Sequence, residues 1–273
     1  MRIGVFDSGY GGLTIYRAIR ERLPRYDYLY LGDNARTPYG HRSFDTVYKF
    51  TSEAVRFLFA RDCTLIVIAC NTAASKALRS VQQRLLPSLH PERRVLGIIR
   101  PSVEALARER QDQTVALWAT PGTVLSMSYA IELTKIAPGL RLVQTACPLL
   151  VPLVENGELE GAGVEYFIRK YWGESAAQQD GIDALLLACT HYPLLLERIR
   201  AVVPPGVTIL SQGAIVAPSL EDYLLRHPEM ERCLSLGGTT EFLTTDRSES
   251  FDRLAELFLG HPVESRKVDL EDV

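Results

Sequence analysis

Short apolar runs of strand length alternate along this chain with longer stretches whose apolar residues recur at helical spacing. Ile3–Phe6, Tyr28–Leu31, the run from Leu65 to Ile68, Val95–Ile99, Thr114–Trp118, Leu140–Thr145, the run from Ala184 to Leu187, and Val207–Leu210 read as strands. Helices are expected near Leu13–Leu23, with Pro24 beyond the end, near Phe44–Phe59, and from Asn71-Thr72 to about Leu85. Tyr192-Pro193 opens another, and helix-like segments continue from the strand at 207 to Gly260. The tail from Glu264 reads as an edge strand or a frayed end. Alternation of this kind predicts βαβ units with largely parallel sheets.

The pattern repeats itself. Leu65-Ile66-Val67-Ile68-Ala69-Cys70-Asn71-Thr72 is echoed by Ala184-Leu185-Leu186-Leu187-Ala188-Cys189-Thr190-His191. Strand ends at Asp7, Asp33 and Cys70 have counterparts at Ala119, Cys147 and Cys189, at offsets of 112, 114 and 119 positions. A near-constant offset with small insertions is the mark of a duplicated unit. The expected fold is therefore α/β, with two similar, pseudo-symmetric domains whose largely parallel sheets face a central cleft. Pro101 and Pro204-Pro205-Gly206 punctuate the chain, giving a discontinuous first domain (1–98 with 207–273) and an inserted second domain (99–206).

Composition narrows the function classes. The 273 residues are 47% hydrophobic and 23% charged, with a formal net charge of −3, as in an ordinary globular protein. No basic run offers a nucleic-acid footprint, and no apolar stretch is long enough to span a membrane. Asp7 follows Met1 too closely for the apolar core of a signal peptide, so a cytoplasmic setting is expected. Five scattered cysteines without a CxxC pair suggest neither a disulfide framework nor a zinc site, and hence free thiols.

Residues just past the carboxyl end of a strand in an open α/β sheet face the ligand crevice. Cys70 and Cys189 both fall there, at strand-to-helix turns whose unpaired amides favour a thiolate and a bound carboxylate. If the sheets face each other, one small molecule sits with a sulfur on either side, which suits moving a proton between the two faces of a carbon. Asp7 ends the strand expected beside that of Cys70 and is the natural helper there, while His191, two residues past Cys189, serves the second thiol. Cys63, Cys147 and Cys233 read as small buried hydrophobes. Gly9-Tyr10-Gly11-Gly12 fits no phosphate-loop pattern. A thiol hydrolase built on Cys189 and His191 leaves Cys70 unexplained.

These residues resemble the aspartate/glutamate racemase family. The resemblance rests on Gly4-Val5-Phe6-Asp7-Ser8-Gly9 with Gly11-Gly12-Leu13-Thr14, Leu31-Gly32-Asp33-Asn34-Ala35-Arg36 with Pro38-Tyr39-Gly40, and Ala69-Cys70-Asn71-Thr72-Ala73. It continues through Ala119-Thr120 with Thr123, Ala146-Cys147-Pro148 with Val151-Pro152-Leu153-Val154-Glu155, and Cys189-Thr190-His191-Tyr192-Pro193-Leu194. It implies a cofactor-independent, two-base isomerase that interconverts L- and D-glutamate, feeds peptidoglycan synthesis, and works as a cytoplasmic homodimer. By the same resemblance Cys70 acts on D-glutamate and Cys189 on L-glutamate, assisted by Asp7 and His191 respectively. Ser8, Tyr39, Gly40, Asn71, Thr72, Thr123 and Thr190 would hold the amino acid. An enzyme for aspartate or a related acidic amino acid, or a non-catalytic binding module, are the competing readings; intact Cys70 and Cys189 count against the module.

Two places depart from the family pattern. Arg100 stands where a Glu is usual, so a compensating acidic partner is expected, and Ser211-Gln212-Gly213 stands where Asp-Ser-Gly is frequent.

Overall fold

A computed structural model describes residues 1–110 and 112–270. It has two sheets. The first has the order β10-β9-β2-β1-β3-β4 and the second β6-β5-β7-β8, from β1 (Arg2–Asp7), β2 (Tyr28–Gly32), β3 (Cys63–Ile68), β4 (Arg94–Gly97), β5 (Thr114–Ala119), β6 (Arg141–Ala146), β7 (Ala184–Ala188), β8 (Thr208–Ser211), β9 (Thr240–Thr244) and β10 (Ser265–Lys267). Every pairing in both sheets is parallel. Parallel strands need crossover helices that cover both sheet faces, so their sequences read as unbroken apolar runs. Accordingly β2, β3, β5 and β7 are buried along their whole length.

The duplication is visible in the topology. Second strand, first strand, third strand, fourth strand is the order β2-β1-β3-β4 in one sheet and β6-β5-β7-β8 in the other. β9 and β10 extend only the first. Because the third strand of each repeat lies beside the first, Cys70 emerges next to Asp7 and Cys189 next to Ala119.

Several expectations are corrected. The strand expected at 207–210 within the first domain pairs with β7, through Thr208–Ser211, and so closes the second sheet. Its main-chain groups have partners only on that edge. Among the described residues we therefore propose lobes of 1–98 with 212–270 and of 99–110 with 112–211. The strand expected at Val95–Ile99 stops at Gly97, because Ile99 opens a helix, Ile99–Glu109, whose first turn holds Pro101, where no amide is needed. The helix expected from Asn71 to Leu85 is broken into Asn71–Lys76, Leu78–Ser80, a π-type turn at Val81–Leu85 and Leu86–Leu89. The break lets Leu78 press onto Gly97, where a Cβ would collide with it. β9 interrupts the region read as helical; its five residues are too few for a periodicity to register. The tail forms the edge strand β10. Helix Ser248–Leu259 stops at Gly260, whose φ of 80° is the left-handed ending that glycine adopts freely.

Candidate active site

Cys70 lies at the end of β3 and is itself the cap of helix Asn71–Lys76, its Sγ accepting from the Ala73 amide at 3.4 Å. The helix expected from Asn71-Thr72 thus starts there and is capped by the preceding thiol. Ser8 Oγ stands 3.2 Å from the same sulfur. Burial and the neighbouring Asp7 charge push the Cys70 thiol up to about 12, outweighing the Ser8 and Ala73 hydrogen bonds. The lowering expected from the helix end is therefore overcome by desolvation. A thiol so held keeps its proton at neutral pH and, once ionised, is a stronger base than an exposed one.

Asp7 is buried at the end of β1. Its Oδ2 accepts from the Gly9 amide at 2.9 Å, while Oδ1 has no hydrogen bond of good geometry among the described residues. Burial raises the Asp7 carboxyl, against the pull of the His191 charge and the Gly9 and Gly12 amides. Asp7 thus acts on Cys70 through its charge, and Ser8 is the side chain that meets the sulfur.

The second thiol has a different setting. Cys189 follows β7, and its Sγ lies 3.9 Å from His191 Nδ1, whose other ring nitrogen is 2.9 Å from Glu155 Oε1. Burial disfavours charge on this imidazole. The hydrogen bonds to Cys189 and Glu155, with their charges, override it and push His191 up to about 10. A charged imidazole is therefore held beside the Cys189 sulfur. Gly11 makes this packing possible: a Cβ there would run into Thr190 Oγ1 and the His191 ring.

Both thiols line one cavity of about 290 Å³ between the sheets. Ser8, Tyr39, Gly40, Asn71, Thr72, Thr190 and His191 from the expected set line it with them. Thr123 does not; it is fully buried, with its hydroxyl 3.2 Å from that of Thr120, which lines the cavity in its place. Asp7 also lies outside the lining. The Tyr39 hydroxyl is committed to the Asp33 carboxylate, leaving the ring and backbone to form the wall. Across the cleft, Thr72 Oγ1 meets Thr120 Oγ1 at 2.8 Å, and Thr14 Oγ1 donates to Thr190 O at 2.9 Å, so the lobes are joined at the site itself.

Sequence reasoning missed Glu155 as a site residue, although it closes the Val151–Glu155 stretch that carried part of the resemblance. It reaches His191 only through the fold, from a helix (Leu150–Glu155) that follows β6. Among the remaining cysteines, Cys63 and Cys147 are buried as expected, whereas Cys233 is exposed. The partners of Arg100 are Glu104, at 2.6 Å, and Glu132, at 3.1 Å.

Two sulfurs delivered by equivalent strands of a duplicated fold into one cleft suit an amino-acid racemase, an isomerase, and the relatives of the chain place it in that class. The chain belongs to the Asp/Glu/Hydantoin racemase family, whose sequence profile matches residues 3–219. It is 40% identical over 279 residues to the glutamate racemase of Paracoccus denitrificans (strain Pd 1222), covering 96% of this chain and 98% of that one. Its fold is similar to that of glutamate racemase isoform RacE1 from Bacillus anthracis, with a TM-score of 0.88 and 34% identity over 98% of this chain and 97% of that chain. It is similar also to glutamate racemase from Francisella tularensis subsp. tularensis SCHU S4 in complex with D-glutamate, with a TM-score of 0.88, 31% identity, and coverage of 100% and 98%.

Proposed function

We propose that this chain interconverts L- and D-glutamate by a two-base proton transfer in which Cys70 and Cys189 face opposite sides of the substrate Cα. The observation that carries the proposal is the joint presence of both sulfurs in one cavity, each reached from the third strand of its repeat. Glutamate is favoured over aspartate by the names of the relatives, one of them solved with D-glutamate.

In the L-to-D direction the Cys189 thiolate, with charged His191 beside it, takes the α-proton, and the Cys70 thiol gives its own proton to the other face. The D-to-L direction reverses both roles. Each turnover leaves the thiols exchanged in protonation, so a proton must pass back through solvent or neighbouring groups before the next. Asp7 near Cys70 and the Glu155–His191 pair near Cys189 are the proposed assistants. The negative charge that develops at Cα and the carboxylate is stabilised by positioned donors lining the cavity: the Ser8, Thr72 and Thr190 hydroxyls and the Asn71 amide. No added cofactor enters this route. The same reading carries three further proposals: supply of D-glutamate to peptidoglycan, a cytoplasmic location, and a homodimer.

The test is direct. Purified protein is incubated with each enantiomer of glutamate and of aspartate, without added cofactor, and optical rotation is followed. Inversion of glutamate much faster than aspartate supports the proposal. Preference for aspartate moves it to the related acidic substrate, and binding without inversion replaces it by a non-catalytic module.

A further inference from the structure

The chain passes between the lobes twice, between β4 and helix Ile99–Glu109 and between β8 and helix Gly213–Arg226. Gln212 lies at the second passage and is buried. Its Oε1 accepts from Asn71 Nδ2 at 2.6 Å. Its Nε2 donates to Ser102 Oγ at 2.9 Å and to Tyr129 Oη at 2.8 Å. Tyr129 in turn donates to Asn71 Oδ1 at 2.7 Å, and Ser102 donates to Ile98 O at 2.7 Å.

The proton count closes without conflict. Gln212 uses both amide protons and one oxygen, Tyr129 gives one proton and takes one, and Ser102 does the same. The Asn71 amide is thereby held in a single orientation at a cavity-lining position, its second N–H making no hydrogen bond among the described residues.

From this network we infer that Gln212 is a positioning residue: it ties both interlobe passages to Asn71 and so fixes Cys70, the preceding residue, relative to the reacting carbon. The inference rests on the proposed function. Asn71 opens the helix that Cys70 caps, so the backbone that carries the anchored Asn71 side chain also carries the sulfur. A misplacement of a reacting group by about an ångström costs up to roughly 100-fold in rate.

The test uses Gln212→Leu, Gln212→Glu and Tyr129→Phe in the full chain, with α-protiated and α-deuterated substrate of each hand. Glutamate enantiomers are equal in free energy, so kcat/KM falls alike in both directions, by about ten-fold in Gln212→Leu. The primary isotope effects on kcat/KM must then diverge. With D-glutamate, where Cys70 abstracts, the effect rises; with L-glutamate, where the Cys70 step follows abstraction, it falls. Gln212→Glu keeps size but removes both donors and gives the same divergence. If Gln212→Leu does not fold, Tyr129→Phe carries the test, since it loses only the hydroxyl between Gln212 and Asn71. A lower melting temperature or active fraction with unchanged isotope effects reduces Gln212 to a structural part and overturns the inference. If the unaltered protein turns over no glutamate, the functional proposal fails first and this inference falls with it. If the protein is active and all three variants match it within two-fold, only this inference fails.

Discussion

Replacing Glu155 by Gln tests the electrostatics of the Cys189 side with almost no change in shape. The amide can still accept a hydrogen bond from His191 Nε2, now 2.9 Å from the carboxylate, but it brings no charge. His191 is held up to about 10 by the hydrogen bonds and charges of Cys189 and Glu155, against burial. Removing a neighbouring opposite charge lowers a buried imidazole by roughly one to three pH units. A two-unit fall would cut the charged fraction at pH 9 from about nine-tenths to about one-tenth. The sign follows from His191 being charged when it supports the thiolate: this support is present below its folded pKa and lost as pH rises through it. The alkaline limb of the kcat/KM profile should therefore move to lower pH by one to two units in Glu155→Gln, with activity near pH 6 largely kept. Initial rates from pH 5 to 10 in a non-binding buffer provide the measurement. Superimposable profiles for the two proteins would refute the reasoning, because they would mean that the Glu155 charge does not govern His191.

Other substitutions probe separate links. Cys70→Ala and Cys189→Ala should each lower racemisation by roughly 100- to 10,000-fold, the range of a lost general acid or base, measured by circular dichroism of product; near-normal turnover in either removes that residue from the mechanism. Gly11→Ala should push a methyl into Thr190 and His191 and cost about 1–3 kcal/mol in urea unfolding, with turnover falling further than stability alone accounts for. Arg100→Ala should cost less than about 1 kcal/mol, since the pairs with Glu104 and Glu132 are half-exposed and screened; a larger loss would mark Arg100 as a structural anchor.

The alternation of apolar runs was enough for the sheets, because parallel strands buried on both faces leave an unmistakable signature. The echo around Cys70 and Cys189 was legible for the same reason, and the repeated strand order is its structural counterpart. What the sequence hid was whatever depends on edges and distant pairing. Nothing in Thr208–Ser211 says that it pairs with β7 rather than returning to the first sheet, and short, Thr-rich β9 has no periodicity to betray it. The direction of the Cys70 shift was also hidden: a helix end is written in the sequence, but complete burial beside Asp7 is not. Glu155 and Gln212 were likewise invisible as site residues, since each meets its partner across a large gap in the chain, 36 residues to His191 and 141 to Asn71.

The central claim is that two different groups handle the proton on the two faces of Cα. Single-enantiomer glutamate in D2O, sampled at early conversion and analysed for α-deuterium in substrate and product separately, tests it most directly. Two-base transfer gives product of inverted hand carrying deuterium, while unreacted substrate stays protiated. Deuterium accumulating equally in the starting enantiomer, or inverted product that retains the original proton, would contradict the account.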